Sequence, residues 1–484
     1  MIGSKPELLA VLRQFNPWWG GERQGGLPTW RRAAFAEVRQ WVRSPPAPRA
    51  LLLSGARQIG KTTLLLQAIE ELLAEGVPPG QILYATFDHP LLKLAGLDAL
   101  LQLWREAEPA REGQPEYVFL DEIQYTKDWQ TWIKHQVDFH KGRRIAVTGS
   151  ATPLVVEGQE SGAGRWHTVR LATLSFYEYL QIKRVPVPAL PEVASLQKLL
   201  GWNAMDFARV GADARPLTGH FHDYLLRGGF PQCALVEEVV TAQKLLREDI
   251  VDKVLKRDMT ALYGVRRVLE LEQTFLYLCL HDGGLLDMVE LGKNLEVKKP
   301  TASSYITLLE AAHLIHRLPP FGYGKEVLRG RSKIYLADAA ISSSVMLKGK
   351  SLLDDPVALG AAVETAFFKH VFTRYYQQSV GFSYWRGKKD HEVDIIAALG
   401  GRLVPFEVKY RRQATGWADL KGMLEFCTAR KVALGYVITQ DSADFGLMER
   451  VGAAATEPPL QILKIPAPLA CYWLGKSELV AQGS

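Results

Sequence analysis

Residues 50–63 read ALLLSGARQIGKTT, and this stretch decides the fold of the first half of the chain. A short apolar run ends at Ser54, the spacing Gly-x-x-x-x-Gly-Lys-Thr follows, and apolar residues then recur at helical intervals up to Ala74. Glycines let a backbone wrap closely around phosphate oxygens, and the N-terminus of a helix attracts an anion. The pattern therefore predicts a strand, a phosphate-binding loop and a helix.

The predicted loop supplies the candidate nucleotide-binding residues. Lys61 is expected to reach the β- and γ-phosphates of a nucleoside triphosphate, and the Thr62 hydroxyl is expected to ligate Mg²⁺. The complete candidate set is Gly55, Ala56, Arg57, Gln58, Ile59, Gly60, Lys61, Thr62 and Thr63.

A second buried strand, residues 117–121, ends in two adjacent carboxylates. We expect Asp121 to hold Mg²⁺ through water and Glu122 to polarise the water that attacks the γ-phosphate. Because neighbouring residues of a strand point to opposite faces, both roles require a turn at the end of this strand.

A third apolar strand is predicted at residues 144–148 and ends before Gly149 and Ser150. Its position makes Ser150 or Thr148 a candidate polar sensor of the γ-phosphate, and we take Ser150 as the catalytic candidate. Ordinary capping of the strand end is the alternative role for both hydroxyls.

These motifs resemble those of AAA-type P-loop ATPases of bacteria and archaea that carry a C-terminal domain of unknown function. The similarity covers nearly the whole chain and rests on the loop at 57–63, Leu120-Asp-Glu-Ile-Gln124, Thr148-Gly-Ser-Ala and Leu174-Ser-Phe-Tyr-Glu178. The resemblance implies Mg²⁺-dependent hydrolysis of ATP in a homo-oligomer, for which a ring is one form. It also implies that Arg165 is an arginine finger for a neighbouring subunit, with an ordinary surface arginine as the alternative.

Length and composition bound the rest of the molecule. The chain has 484 residues, which at about 150 residues per domain predicts about three domains. Apolar residues make up 47% and charged residues 23%, values typical of a globular protein rather than a disordered or fibrous one. The sequence shows neither a long uncharged apolar run nor a signal-peptide pattern, so we expect a cytoplasmic protein without membrane contact. The four cysteines are scattered and indicate neither zinc ligation nor a disulfide framework.

The net charge of +6 includes a basic excess between residues 251 and 350. Residues 268–318 predict three helices, and a loop rich in Pro and Gly that carries Arg329, Arg331 and Lys333 leads into a return strand. Three helices followed by a basic hairpin are the layout of a winged helix-turn-helix. The residues expected to face outward on its recognition helix are Thr301, Ser303, Ser304 and Tyr305. We therefore expect contact with the phosphates of duplex DNA, with a lid or protein-docking module as the alternative.

The last part of the chain contains a second group of candidate catalytic residues. Asp394 ends one predicted strand, and Glu407 and Lys409 lie on one face of the next strand. This arrangement resembles the PD-(D/E)xK, restriction-endonuclease-like fold, which implies that Asp394 and Glu407 bind Mg²⁺ and that Lys409 orients the attacking water. Glu364 matches the additional acidic residue of such sites. A partly buried ion-pair network that also includes Glu392 is the alternative.

Together these patterns predict an α/β fold with four segments. They are a P-loop AAA-type ATPase core with its N-terminal lead-in at 1–225, a helical lid or linker at 226–265, a winged helix-turn-helix at 266–345 and a PD-(D/E)xK nuclease-like domain at 346–484. The expected function is an oligomeric Mg²⁺-dependent ATPase that couples ATP hydrolysis to binding, remodelling or translocation of DNA, branched DNA included. Two alternatives stay open: a nucleotide-dependent signalling or defence switch with protein partners, and an ATP-gated, metal-dependent DNA nuclease.

Overall fold

The computed structural model describes residues 4–150, 164–322, 324, 327, 330–378, 380–450 and 459–482. Its first part is a five-stranded parallel sheet in the order β2-β3-β4-β1-β5. The strands are β1 (Ala50–Gly55), β2 (Ile82–Thr86), β3 (Glu116–Asp121), β4 (Arg143–Gly149) and β5 (Trp166–Leu171). The helices that precede and connect them are α1 (Lys5–Phe15), α2 (Phe35–Arg43), α3 (Lys61–Ala74), α4 (Pro90–Ala95), α5 (Leu97–Ala107) and α6 (Trp129–Phe139).

The connection from β1 to α3 is set by two glycines. β1 is buried at all six positions, as expected for a strand of a parallel sheet that helices cover on both faces. Gly60 has a φ of 94°, a left-handed conformation that glycine adopts at little cost. A Cβ atom on Gly55 would lie 2.3 Å from the carbonyl oxygen of Leu171. Both positions therefore require glycine, and together they fix the path of the loop.

A helical region follows the sheet. Its helices are α7 (Phe176–Ile182), α8 (Ala204–Asp213), α9 (Leu217–Arg227), α10 (Pro231–Leu235), α11 (Val239–Leu245) and α12 (Met259–Tyr263). Two π-helical segments, Leu246–Asp252 and Val254–Asp258, lie between α11 and α12. Phe176 of α7 and Phe221 of α9 share a hydrophobic core with Phe367 and Trp473 near the end of the chain. The helices α7–α9 therefore pack with the C-terminal part, although the sequence-based division places α7, α8 and most of α9 in the segment 1–225.

The middle part consists of helices followed by a hairpin. The elements are α13 (Val268–Leu280), α14 (Met288–Leu295), α15 (Lys299–Ala311), β6 (Ile315–Leu318), β7 (Lys333–Leu336) and α16 (Ala340–Val345), and β6 pairs with β7 in antiparallel fashion. Ser303 and Ser304 are exposed on α15 as expected. Tyr305 is instead buried, and its hydroxyl donates to Glu270 Oε2 at 3.1 Å, so the expectation that it faces outward is wrong.

The C-terminal part is a six-stranded mixed sheet in the order β12-β13-β11-β10-β9-β8. Its elements are α17 (Pro356–Tyr375), β8 (Gly381–Arg386), β9 (Glu392–Leu399), β10 (Arg402–Lys409), α18 (Lys421–Arg430), β11 (Leu434–Thr439), β12 (Gly446–Arg450), β13 (Leu460–Pro466) and α19 (Ala467–Gln482). β10 pairs with β9 in antiparallel and with β11 in parallel fashion. Across the described ranges, every helix is too short or too polar to cross a bilayer.

Candidate functional site

Lys61 is the first residue of α3, and its ammonium lies inside the loop. Nζ donates hydrogen bonds to the carbonyl oxygens of Gly55 at 3.0 Å and Ala56 at 2.7 Å, and the residue is only 4% exposed. Burial lowers the pKa of Lys61, although the charges of Glu122 and Asp121 oppose this shift. A buried cation at the N-terminus of a helix, beside glycine-rich backbone, is well suited to phosphate oxygens.

Asp121 ends β3 and lies against the first turn of α3. Its Oδ2 accepts hydrogen bonds from Thr62 Oγ1 at 2.9 Å and from the Tyr84 hydroxyl at 3.1 Å, and its Oδ1 accepts one from Thr148 Oγ1. Burial and, next, the charge of Glu122 raise the pKa of Asp121. The Thr62 hydroxyl and the Asp121 carboxylate therefore meet beside the loop, and such hard oxygen donors fit Mg²⁺.

Glu122 has a φ of 53°, so the chain turns at the end of β3. This is the turn that separate roles for Asp121 and Glu122 require. The backbone N–H of Glu122 donates to Thr148 Oγ1 at 2.9 Å, and its carboxylate accepts from Gln124 Nε2, which also donates to Ser150 Oγ at 3.0 Å. Thr148 therefore holds the backbone of Glu122, whereas Ser150 contacts it through Gln124.

Arg57 of the loop is paired with an acid from the helical region. Its Nη1 lies 2.6 Å from Oδ1 of Asp258, which ends the second π-helical segment, and the Tyr125 hydroxyl donates to the same oxygen at 3.1 Å. The side chains of Arg57 and Asp258 are 14% and 6% exposed. Burial opposes the shift, but the charge of Asp258 raises the pKa of Arg57. The sequence does not reveal this pair, because its partners are 201 positions apart.

The middle part of the chain also contacts the loop region. His313, which follows α15, is hydrogen-bonded through Nε2 to Ser54 Oγ of β1 at 3.0 Å. Beside it lies a cavity of about 500 Å³, whose lining includes Ala56 of the loop, Arg170, His313 and His316. Burial lowers the pKa of His313 to about 3 and that of His316 to about 4, so both rings are neutral at pH 7. The loop therefore borders both the helical and the middle regions.

Arg165 lies far from the loop of its own chain. It directly precedes β5, and its carbonyl oxygen accepts from the N–H of Ala50 at the start of β1, whereas the loop follows the end of β1. Arg165 Nε lies 2.6 Å from Asp138 Oδ1 of α6, and the arginine side chain is 38% exposed. The structure therefore does not bring Arg165 together with Lys61 and Glu122, and a finger role requires a second subunit.

The four candidate residues of the second site converge on the C-terminal sheet. Glu364 lies on α17, Asp394 on β9, and Glu407 and Lys409 on β10. Lys409 Nζ is 2.6 Å from Glu407 Oε1, and Asp394 Oδ2 accepts the backbone N–H of Val408 at 2.9 Å. Burial and the charge of Asp394 raise the pKa of Glu407 to about 8. We call these four residues, together with Glu392, the carboxylate cluster.

Lys333 of β7 inserts into the carboxylate cluster. Its Nζ lies 2.6 Å from Glu392 Oε1, 3.0 Å from Asp394 Oδ1 and 3.1 Å from Glu364 Oε1, and its side chain is 4% exposed. The expectation that Lys333 belongs to a solvent-facing basic wing is therefore wrong, because acids from α17 and β9 enclose it. Among the described residues, no group of three or more Asp, Glu, His or Cys side chains is arranged to hold a metal ion.

Arg331, a second cation of the expected wing, is paired with an acid. Arg331 is 60% exposed, and its Nη2 lies 2.6 Å from Asp287 Oδ2. Arg329 lies outside the described residues. The hairpin β6–β7 therefore offers little free positive charge in its described part.

Family models match three successive parts of the chain. Residues 47–180 match an AAA domain. This part is an AAA-type P-loop ATPase domain. Residues 218–351 match a domain of unknown function (DUF8612), and residues 359–456 match another (DUF4143). The predicted combination of an AAA-type ATPase domain with a C-terminal domain of unknown function is thus confirmed, while the winged-helix and nuclease-like assignments remain predictions.

Relatives share more than the ATPase domain. An uncharacterized protein of Haemophilus influenzae is 25% identical over 372 residues, which cover 74% of this chain and 82% of that protein. An uncharacterized protein of Mycobacterium tuberculosis is 26% identical over 78% of this chain and 74% of its own length. Among solved structures, the Walker-type ATPase of Pyrococcus abyssi is 13% identical, with a TM-score of 0.34, over 67% of this chain and 97% of its own.

One further residue, which the sequence did not single out, contacts the phosphate-binding loop. Arg32 precedes α2 and is 9% exposed; its Nη1 donates to the carbonyl oxygens of Ile59 at 3.0 Å and Ala172 at 2.9 Å. Its Nη2 lies 2.9 Å from Glu178 Oε2. Arg32 therefore ties the loop to the end of the sheet. Glu178 belongs to the stretch Leu174–Glu178, one of those on which the family resemblance rests. Its presence there is the one feature of the sequence that could have indicated this contact.

Proposed function

We propose that this protein is an Mg²⁺-dependent ATP hydrolase whose nucleotide cycle is coupled to its helical region. One observation carries this proposal. The loop provides Thr62, which is hydrogen-bonded to Asp121, and it also provides Arg57, which forms a buried ion pair with Asp258 of the helical region. The residues that would bind the γ-phosphate side of ATP are thus physically joined to a helix outside the ATPase sheet.

Each side chain of the site has a distinct part in the reaction. Lys61 and the N–H groups of the loop bind the phosphates, and Glu122 orients the attacking water and accepts its proton. Gln124 holds the carboxylate of Glu122 in place. Thr62 and Asp121 would hold Mg²⁺, which when bound neutralises charge on the β- and γ-phosphates.

The coupling arises from competition for Arg57. A phosphate oxygen near the loop offers the guanidinium a second anionic partner besides Asp258. Asp258 lies where the second π-helical segment meets α12, so loss of its partner loosens the contact of residues 246–263 with the ATPase domain. The presence of the γ-phosphate therefore changes how this helical segment docks on the ATPase domain.

The hydrolysis step is tested by turnover and nucleotide affinity in variants. Lys61→Ala is expected to abolish ATP binding. Glu122→Gln is expected to keep ATP bound while turnover falls at least about 100-fold, since general-base catalysis contributes on the order of 10²–10⁴. Arg257→Gln, an exposed neighbour of Asp258, serves as the control and should leave both quantities unchanged. Turnover near that of the wild type in Glu122→Gln would contradict the assignment of the base.

The coupling step is tested by hydrogen exchange in residues 246–263 with and without a non-hydrolysable ATP analogue. We expect faster exchange in this segment when the analogue is bound. The same analogue is expected to cause little change in Arg57→Met, which lacks the ion pair from the start. Equal exchange in the two nucleotide states of the wild type would refute the coupling.

We also propose that the middle region contacts DNA, with a surface other than the hairpin. Lys293, Lys298 and Lys299 are exposed around the turn before α15, and Ser303 and Ser304 are exposed on its first turns. Cations and hydroxyl groups at the start of a helix suit contacts with the phosphates of a duplex. This surface supports the proposal, whereas the buried Lys333 does not contribute to it.

Gel-shift titrations with linear and branched duplexes test this contact. Lys298→Glu/Lys299→Glu is expected to weaken binding at least tenfold and to reduce the salt slope of log K by about 1.8, because each phosphate contact contributes about 0.9. Lys127→Glu/Lys141→Glu, a pair of exposed lysines in the ATPase domain, is the matched control. Equal affinity of the two double variants would refute the DNA surface and favour a switch with protein partners.

We further propose that the active form is a homo-oligomer in which Arg165 acts on the ATP bound by a neighbouring subunit. Its distance from its own loop and its partly exposed side chain support this role. An arginine supplied in trans stabilises the charge of the transition state and typically contributes 10³–10⁵ to turnover. Hydrolysis then depends on assembly of the subunits.

A further inference from the structure

The carboxylate cluster is closed by a lysine from a different part of the chain. Lys333 lies on β7, within the segment that matches DUF8612, whereas Glu364, Glu392 and Asp394 lie on α17 and β9. One ammonium contacts one oxygen of each acid at 3.1 Å or less. An ammonium has three N–H donors, so the three acids match its full donor capacity.

Further contacts hold β7 against the cluster. The Tyr335 hydroxyl donates to Glu364 Oε1 at 2.7 Å, the same oxygen that Lys333 contacts. Asp282, which follows α13, accepts from the N–H of Leu336 on β7 and from Thr365 Oγ1 of α17, both at 2.9 Å. The position of Lys333 is therefore built by several side chains of the middle region, and it differs from the loose ion pairs of a protein surface.

The cluster still holds more acids than cations. Lys333 and Lys409 face four carboxylates, and Glu407, which is 5% exposed, has an Oε2 atom without a hydrogen-bond partner among the described residues. A buried carboxylate oxygen without a partner is costly and calls for a cation or donor. The raised pKa of Glu407 agrees with this lack of compensation.

We propose that Lys333 is the resident cation of a latent divalent-metal site formed by Glu364, Asp394 and Glu407, and that β7 and a metal ion exclude each other. With β7 docked, the ammonium lies between Glu364 and Asp394, and the described residues form no metal-holding group. Withdrawal of β7 removes one positive charge and leaves carboxylate oxygens around one space. Such hard donors suit Mg²⁺ or Mn²⁺.

This proposal is independent of ATP hydrolysis. Its consequence is that the contact between Lys333 and the carboxylate cluster prevents metal binding there. Any metal-dependent chemistry of Asp394, Glu407 and Lys409 is blocked while Lys333 is in place. Movement of the middle region away from the C-terminal sheet is then the condition for metal entry. The docked hairpin is an autoinhibitory element in this sense.

Mn²⁺ binding to the full-length, nucleotide-free protein at pH 8 tests the exclusion, with free Mn²⁺ followed by electron paramagnetic resonance. Lys333→Met keeps the length of the side chain and removes its charge. We expect this variant to bind one Mn²⁺ per chain at least tenfold more tightly than the wild type, and Lys333→Met/Asp394→Asn to lose that site. Lys348→Met removes a partly exposed lysine of the same region and should behave like the wild type.

Equal Mn²⁺ binding in the wild type and Lys333→Met overturns the proposal, whether both bind the ion or neither does. Lys333→Arg keeps the positive charge and should exclude Mn²⁺ as the wild type does; tight binding in this variant also overturns it. Should Lys333→Met fail to fold, reductive methylation of the wild type decides. Labelling of Lys333 is expected to rise with Mn²⁺ concentration, and labelling that does not respond to Mn²⁺ refutes the competition.

Discussion

Replacing Arg57 by Met and Asp258 by Asn, singly and together, measures how strongly the helical region holds the phosphate-binding loop. Asp258→Asn keeps an oxygen for the Tyr125 hydroxyl and removes only the charge. The Nη1 to Oδ1 distance is 2.6 Å, and the side chains are 14% and 6% exposed. Unit charges about 4 Å apart interact by about 4 kcal/mol at an effective dielectric constant of about 20. Desolvation offsets part of this, so we expect a coupling energy of about 2 kcal/mol.

The coupling energy is obtained from urea unfolding of the four proteins in the absence of nucleotide. A control cycle uses the adjacent pair Arg257–Asp88, whose atoms are 2.9 Å apart but whose side chains are 56% and 47% exposed. An exposed pair of this kind is worth less than about 1 kcal/mol. If the Arg57–Asp258 coupling lies within about 0.5 kcal/mol of the control, the argument that burial makes this ion pair a strong tether is refuted.

Three further outcomes follow from the structure. Arg165→Ala is expected to lower turnover of the assembled protein at least about 1000-fold, and mixing it with Lys61→Ala subunits should restore part of the activity. Burial lowers the pKa of His370 to about 3, so between pH 6.5 and about 3 the unfolded state binds more protons than the folded state. In this range the free energy of unfolding should fall by about 1.4 kcal/mol for each unit by which the pH drops. Urea titrations of His370→Gln should lack this contribution. Gly422→Ala places a Cβ 2.1 Å from a carbonyl oxygen of β9 and should lower the unfolding free energy by about 1–3 kcal/mol, whereas Gly360→Ala, with open space around it, should raise it by about 0.5–1 kcal/mol.

The ATPase domain was predictable because its candidate site residues lie in a few short stretches of sequence. The loop occupies nine successive residues, and Asp121 and Glu122 follow directly from the end of a buried strand. The convergence of Asp394, Glu407 and Lys409 was also foreseeable, since two strands joined by a tight hairpin bring these positions close together.

The residues that escaped prediction have partners far away in the sequence. Lys333 looks like a surface cation in a basic loop, yet its three acids are 31, 59 and 61 positions downstream and its burial depends on how β7 docks. Arg57 lies inside the recognised motif, but nothing near it in the sequence points to Asp258. Tyr305 has the same difficulty, because its partner Glu270 belongs to another helix. In each case tertiary packing, rather than local pattern, sets the environment of the side chain.

The shared core of α7, α9 and the C-terminal helices constrains how such proteins exchange parts during evolution. A recombination event near residue 225 would separate Phe176 and Phe221 from Phe367 and Trp473, and both products would expose apolar surface. The helix α7 is also tied to the N-terminal sheet by the buried pair between Arg32 and Glu178, so a junction on either side of α7 breaks buried contacts. Gene fusions and domain swaps within this lineage are therefore expected to keep the two sheets together.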